Sequence, residues 1–158
     1  MKKNGFTLIE ALISIVLVGF AIISLLSAST CYTNINGESL KLSNAEFLTE
    51  QIRQLITLAD YQDPQTGDTT FGAEESLLSG YDDVDDYDAK TFSPPIDMNK
   101  SQISDLADYS QQITVENVSE QNLQQTVSDK GSNILRITVE INHKSQTLAT
   151  TSWLRARY

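Results

Sequence analysis

The sequence predicts an α+β fold in which a long N-terminal helix packs on a small C-terminal antiparallel sheet, and three observations carry that prediction. A predominantly apolar run with a single charge extends from Phe6 to Ala28. A helical stripe follows at Leu48, Ile52, Leu55, Ile56 and Ala59, spaced i, i+4, i+7, i+8 and i+11. Within Ile134 to Ile141, apolar Leu135, Ile137, Val139 and Ile141 then alternate with Arg136, Thr138 and Glu140. The chain has 158 residues, 40% of them hydrophobic. Single domains typically hold about 100–150 residues, so this leaves room for one modest domain and one extra element. Much of the apolar content sits in the first block, so the remainder is polar and has a small core.

The first block reads FTLIEALISIVLVGFAIISLLSA, with Glu10 as its one charge and no proline. As a helix it spans about 34 Å, enough to cross the hydrocarbon of a bilayer. Lys2 and Lys3 precede it and no basic cluster follows directly, which leaves the N-terminus cytoplasmic and the rest exported. A secretory signal peptide would carry a shorter apolar region of about 7–15 residues before a small-x-small cleavage site. Ser27-Ala28-Ser29 meets that pattern weakly. A lipoprotein signal wants a small residue directly before its cysteine, and Thr30 precedes Cys31. A plain membrane anchor fits the length but leaves Glu10 unexplained, because an acidic group within a membrane is costly unless paired. Cys31 is the sole cysteine. It excludes an intrachain disulfide and reads as a small apolar helix residue.

Lys2-Lys3-Asn4-Gly5-Phe6-Thr7-Leu8-Ile9-Glu10 resembles the type III signal shared by type IV pilins and type II secretion pseudopilins. The resemblance implies a pilin-like lollipop. It also implies that a prepilin peptidase, a membrane aspartyl protease, cuts after Gly5 and methylates the new amine at Phe6. Glu10 then becomes the fifth mature residue, and in a filament it meets the Phe6 amine of a neighbouring subunit. Opposite charges about 4 Å apart attract by roughly 4 kcal/mol at an intermediate dielectric. Because a lone carboxylate is penalised in a dry bundle, the pair acts mainly to set axial register. The competing reading of Glu10 is a carboxylate snorkelling to the headgroups. Ser27 stands where many major pilins carry a helix-kinking proline, which favours a minor pilin or pseudopilin.

Beyond Cys31 the helix is expected to continue, with a bend or melted turn at Asn34-Ile35-Asn36-Gly37, where poor helix formers adjoin a glycine. Asp63-Pro64, Thr66-Gly67, Gly72, Gly80 and Pro94-Pro95 then mark a stretch that is mainly loop. Within it, Tyr81 to Asp88 reads YDDVDDYD, placing five aspartates, Asp82, Asp83, Asp85, Asp86 and Asp88, in seven residues. The spacing is not that of an EF-hand. A solvated acidic loop is the leading reading, with a partner-facing patch and a calcium site on those aspartates as alternatives. Tyr81, Val84 and Tyr87, spaced i, i+3 and i+6, are expected to tuck beneath it. The segment also resembles one found in a minor pilin of the mannose-sensitive haemagglutinin pilus group. In the C-terminal third, strands are predicted at Gln112 to Val118, Ile134 to Ile141 and Thr147 to Arg155, with a turn at Asn142 to Ser145, giving a three-stranded meander.

These readings divide the chain into a leader (1–5), a hydrophobic transmembrane or filament-core helix (6–30), an amphipathic continuation (31–60), a variable loop region (61–108) containing the acidic segment 82–88, and the strands of a globular head (109–158). Lys plus Arg number 11 against 21 Asp plus Glu, so no basic face for nucleic acid is expected. His143, the one histidine, falls in a predicted turn with no nucleophile beside it, so no triad or histidine metal site is expected. Asn117-Val118-Ser119 satisfies a glycosylation sequon on a predicted strand and reads as chance. Trp153 reads as core or as an interface anchor.

The sequence therefore points to a structural subunit rather than an enzyme, with no cofactor expected beyond the calcium alternative. The resemblance implies as partners the prepilin peptidase, other pilin or pseudopilin subunits and an inner-membrane assembly platform. It implies a single-pass inner-membrane protein with an exported head, which then enters a filament in the periplasm or at the cell surface. A minor pilin is the first reading and a type II secretion pseudopilin the second. A membrane-anchored adhesin or cation-dependent binding protein is the alternative of another class.

Overall fold

A computed structural model describes residues 7–64 and 71–157. The chain divides into two compact units, Met1–Leu40 and Lys41–Tyr158. One helix, α1, runs from Leu8 to Leu58.

In the first unit α1 has no core to face. Its apolar side chains stand exposed on every side, and no residue from Leu8 to Leu40 is buried. Five hydroxyl side chains in this stretch turn inward on the backbone. Ser14, Ser24, Ser27, Thr30 and Thr33 each donate a hydroxyl to the carbonyl four residues earlier, at 2.7–3.0 Å. Such bonds remove the cost of leaving a hydroxyl unpaired in an apolar surrounding. The bend expected at Asn34-Ile35-Asn36-Gly37 does not occur, for α1 is continuous through it. A glycine costs about 1 kcal/mol relative to alanine and asparagine less. That is too little to open a helix propagated from long segments on both sides.

In the second unit, Ala45, Leu48, Thr49, Ile52, Leu55 and Ile56 of α1 are buried, so the predicted stripe is the packing face. It lies in one hydrophobic cluster with the inner face of a four-stranded sheet. The strands are β1 (Thr91–Phe92), β2 (Tyr109–Asn117), β3 (Ile134–His143) and β4 (Gln146–Ala156), in the order β1-β2-β3-β4. Every pairing is antiparallel. Alternation decides which face is buried: Tyr109, Ile113 and Val115 of β2 and Leu135, Ile137, Val139 and Ile141 of β3 point into the core. Burying each such aliphatic side chain stabilises by about 1.5–3 kcal/mol. The meander has four strands rather than three. β1, only two residues long, is too short for a period of two to register in the sequence, and it falls within the stretch read as loop.

Two long polar side chains tie these layers together. Gln111 is fully buried on the inner face of β2. Its amide donates to the carbonyls of Leu48 (3.1 Å) and Ile96 (3.0 Å), and its oxygen accepts the Ile96 N–H at 2.8 Å. Arg155 of β4 closes α1. Its guanidinium donates to the carbonyls of Ile56 and Ala59, both at 2.6 Å. The last turn of the helix has no basic residue of its own, so a distant strand supplies the cation that its orphan carbonyls favour. Trp153, partly buried on the core, is covered by the Arg53 guanidinium, 5.1 Å above its ring.

Candidate functional site

The start of α1 is built by two residues. Thr7 precedes the first helical residue, and its hydroxyl accepts the Glu10 N–H at 3.3 Å. The Glu10 carboxylate reaches back to accept the Thr7 N–H at 3.2 Å and the Thr7 hydroxyl at 3.1 Å. This is a capping box, satisfying two of the donors that a helix N-terminus leaves open. It also places a negative charge on the positive end of the helix dipole. The signal was present in the sequence as Thr-x-x-Glu, and the reading of Glu10 as an assembly residue passed over Thr7. Gly5 and Phe6, the expected cleavage and methylation positions, lie outside the described residues.

The acidic segment differs sharply from the solvated loop expected of it. Asp83, Asp85 and Asp86 are buried, with Asp86 only 1% exposed. Tyr81, Val84 and Tyr87 are buried beneath them as expected, the two rings meeting edge-on at 5.4 Å. Backbone N–H groups make the burial tolerable. Asp83 Oδ1 accepts the Asp86 N–H at 3.1 Å, while Asp86 Oδ2 accepts those of Asp82 (2.8 Å) and Asp83 (3.3 Å). Asp85 takes the Gly72 N–H at 3.0 Å. Asp88 takes the Val115 N–H of β2 at 2.8 Å, continuing with a side chain the edge that β1 begins. Asp60 and Val84 anchor the segment to the end of α1 through Asp60 N–H to Asp82 C=O (2.8 Å) and Val84 N–H to Asp60 C=O (3.0 Å).

Crowding leaves its mark on the titrations. Burial, reinforced by the charges of Asp85 and Asp86, pushes the Asp83 carboxyl up to about 7. Burial also raises Asp85. Glu75 is raised by desolvation and by the Asp86 carboxylate beside it. Among the described residues, Asp86 joins Glu74 and Glu75 in a group of three carboxylates whose oxygens lie within 4.8 Å of one another. The two glutamates escaped the sequence reading because they stand eleven and twelve positions upstream, brought in by a loop with no periodicity.

Residues 1–26 match the family model of the prokaryotic N-terminal methylation motif. This is the signal of type IV pilins and secretion pseudopilins. No curated protein and no solved structure matches the chain. The prepilin signal implies processing by a prepilin peptidase and assembly with other pilin-type subunits. The apolar N-terminal half of α1, long enough to cross a membrane, fits the membrane anchoring that the signal implies.

Beyond the prepilin signal, two residues read as inert have defined places. His143 is not an exposed turn residue but the half-buried end of β3, its ring 4.8 Å from that of Tyr109. The turn shrinks to Lys144-Ser145 because His143 pairs with Gln146. Asn117 of the sequon is buried. Its amide donates to Ser132 C=O (3.0 Å) and its oxygen accepts the Lys130 N–H (2.7 Å), so the side chain holds the β2–β3 connection.

Proposed function

We propose that this chain is a minor pilin-like structural subunit, cleaved after Gly5, methylated at Phe6, and incorporated through residues 6–30 into a type IV pilus or related filament. The observation that carries the reading is the bare first half of α1, whose exposed apolar side chains point in every direction. A helix apolar all round requires lipid or other helices about it. A filament of parallel subunits provides the helices, and the inner membrane provides the lipid before assembly.

Glu10 suits the transfer between those surroundings. Within one subunit its carboxylate rests on the N–H and hydroxyl of Thr7, which lowers the cost of holding a charge in the membrane. In the filament it turns to the methylated amine of Phe6 on a neighbour, and that exchange sets register. Ser27 in place of a kinking proline and the acidic YDDVDDYD segment favour a minor over a major pilin. The head is then exported and faces outward.

Mass spectrometry of the mature protein from membranes and sheared filaments tests the reading. The expected N-terminus is N-methylphenylalanine at residue 6; an intact Met1 overturns it. Glu10→Ala is expected to be processed normally and to be lost from filaments, and undiminished incorporation removes the register role.

A further inference from the structure

Glu74 is exposed, Glu75 half-buried and Asp86 buried, with one carboxylate oxygen of each within 4.8 Å of the others. Three carboxylates converging in this way repel unless protons or a cation intervene. A second observation separates this group from an ordinary acidic patch. Asp86 is 1% exposed, and although its Oδ2 is occupied by two backbone N–H groups, its Oδ1 is buried with no hydrogen-bond partner among the described residues. A buried carboxylate oxygen without a donor is costly. It is the kind of atom that a metal ion satisfies.

The backbone is shaped to bring Glu75 close. A Cβ at Gly80 would stand 2.8 Å from Glu75 Cγ and 3.1 Å from its Cβ, so the glycine leaves the space that the glutamate stem occupies. We propose that Glu74, Glu75 and Asp86 form a binding site for a hard divalent cation, calcium in preference to magnesium.

Oxygen donors alone select hard ions over zinc or copper. Oxygens that lie within 4.8 Å of one another can all reach one calcium ion at about 2.4 Å each. Calcium also accepts the irregular geometry that a loop supplies, whereas magnesium demands a near-ideal octahedron. Asp82, Asp83, Asp85 and Asp88 are not ligands in this arrangement. Asp83, Asp85 and Asp88 hold the backbone that presents Asp86. Bound calcium would join Glu74 and Glu75, before the acidic segment, to the buried base of that segment. The site is independent of the processing of the N-terminus.

Isothermal titration of the full chain in detergent with CaCl2, and separately with MgCl2, tests the site. One saturable calcium site is expected, with a dissociation constant of about 0.1–1 mM as in extracellular modules, together with a rise in the thermal midpoint of the head. Glu75→Gln and the exposed Glu74→Gln are each expected to weaken it at least tenfold, while Asp105→Asn, elsewhere on the surface, leaves it unchanged. Thermal unfolding in EDTA verifies that each variant is folded. The proposal is overturned if wild type shows no saturable heat, if both glutamine variants keep the affinity, or if acidification alone stabilises the head and calcium does not, since a shared proton then satisfies Asp86.

Discussion

The two halves of α1 share one backbone geometry and have opposite relations to their surroundings. From Leu8 to Leu40 no residue is buried, and five hydroxyls are satisfied by the helix's own carbonyls. From Lys41 onward the helix presents a single stripe, and its ends and carbonyls are claimed by side chains from strands far along the sequence. The difference teaches which half is finished. The head completes its own core, while the N-terminal half is a surface that waits for lipid or for other helices.

The comparison breaks most readily in the core. Ile137→Ala, at a fully buried position of β3, is expected to cost the head about 2–5 kcal/mol. Leu17→Ala, on the exposed half, should change the same chemical denaturation midpoint negligibly. Equal effects would mean that the two halves are not energetically separate. Gln111→Ala should come next, at about 2–3 kcal/mol, because it orphans the Ile96 N–H and the carbonyls it ties. A loss below about 0.5 kcal/mol would show that water replaces the tie.

Acidity sharpens the contrast further, since the raised carboxyls described above lie in the head. Asp83 holds its proton more tightly folded than unfolded. Its stabilising contribution is therefore present near pH 4 and disappears as pH rises through about 7. In EDTA the thermal midpoint of the head should fall across that window, and Asp83→Asn should flatten the slope. A midpoint that climbs from pH 4 to 7 in wild type and variant alike contradicts this. The smallest effect belongs to the start of α1. Thr7→Val removes a cap worth about 0.5–2 kcal/mol, read as faster hydrogen exchange over the first turn with the head unaffected.

Much of this division was legible from residue spacing. Leu48, Ile52, Leu55 and Ile56 announced the packing face, and the alternation through Leu135, Ile137, Val139 and Ile141 announced the central strand, because burial imposes a period on both. Residues whose role depends on a partner far away carried no such period. Gln111 looks like any polar strand residue until the Leu48 carbonyl stands opposite it. Arg155 looks like a surface charge until α1 ends beneath it. The acidic segment misled for a related reason. Like charges crowded in sequence suggest water, and the sequence does not reveal that backbone N–H groups from residues 72, 82, 83, 86 and 115 stand ready to receive them. The prepilin signal could be read directly because it is a local pattern recognised by an enzyme, not a contact formed by folding.

The clasp of Arg155 on α1 also bears on the order in which the head is made. Its two hydrogen bonds join residues 99 and 96 positions apart in the chain, and contacts of such separation form late. While the chain is being synthesised, the carbonyls at Ile56 and Ala59 have only water until nearly the last residue has arrived. The end of the helix therefore stays open throughout, and closes when the final strand takes its place. A subunit cut short by a few residues would emerge with its core strands intact and its helix unlatched.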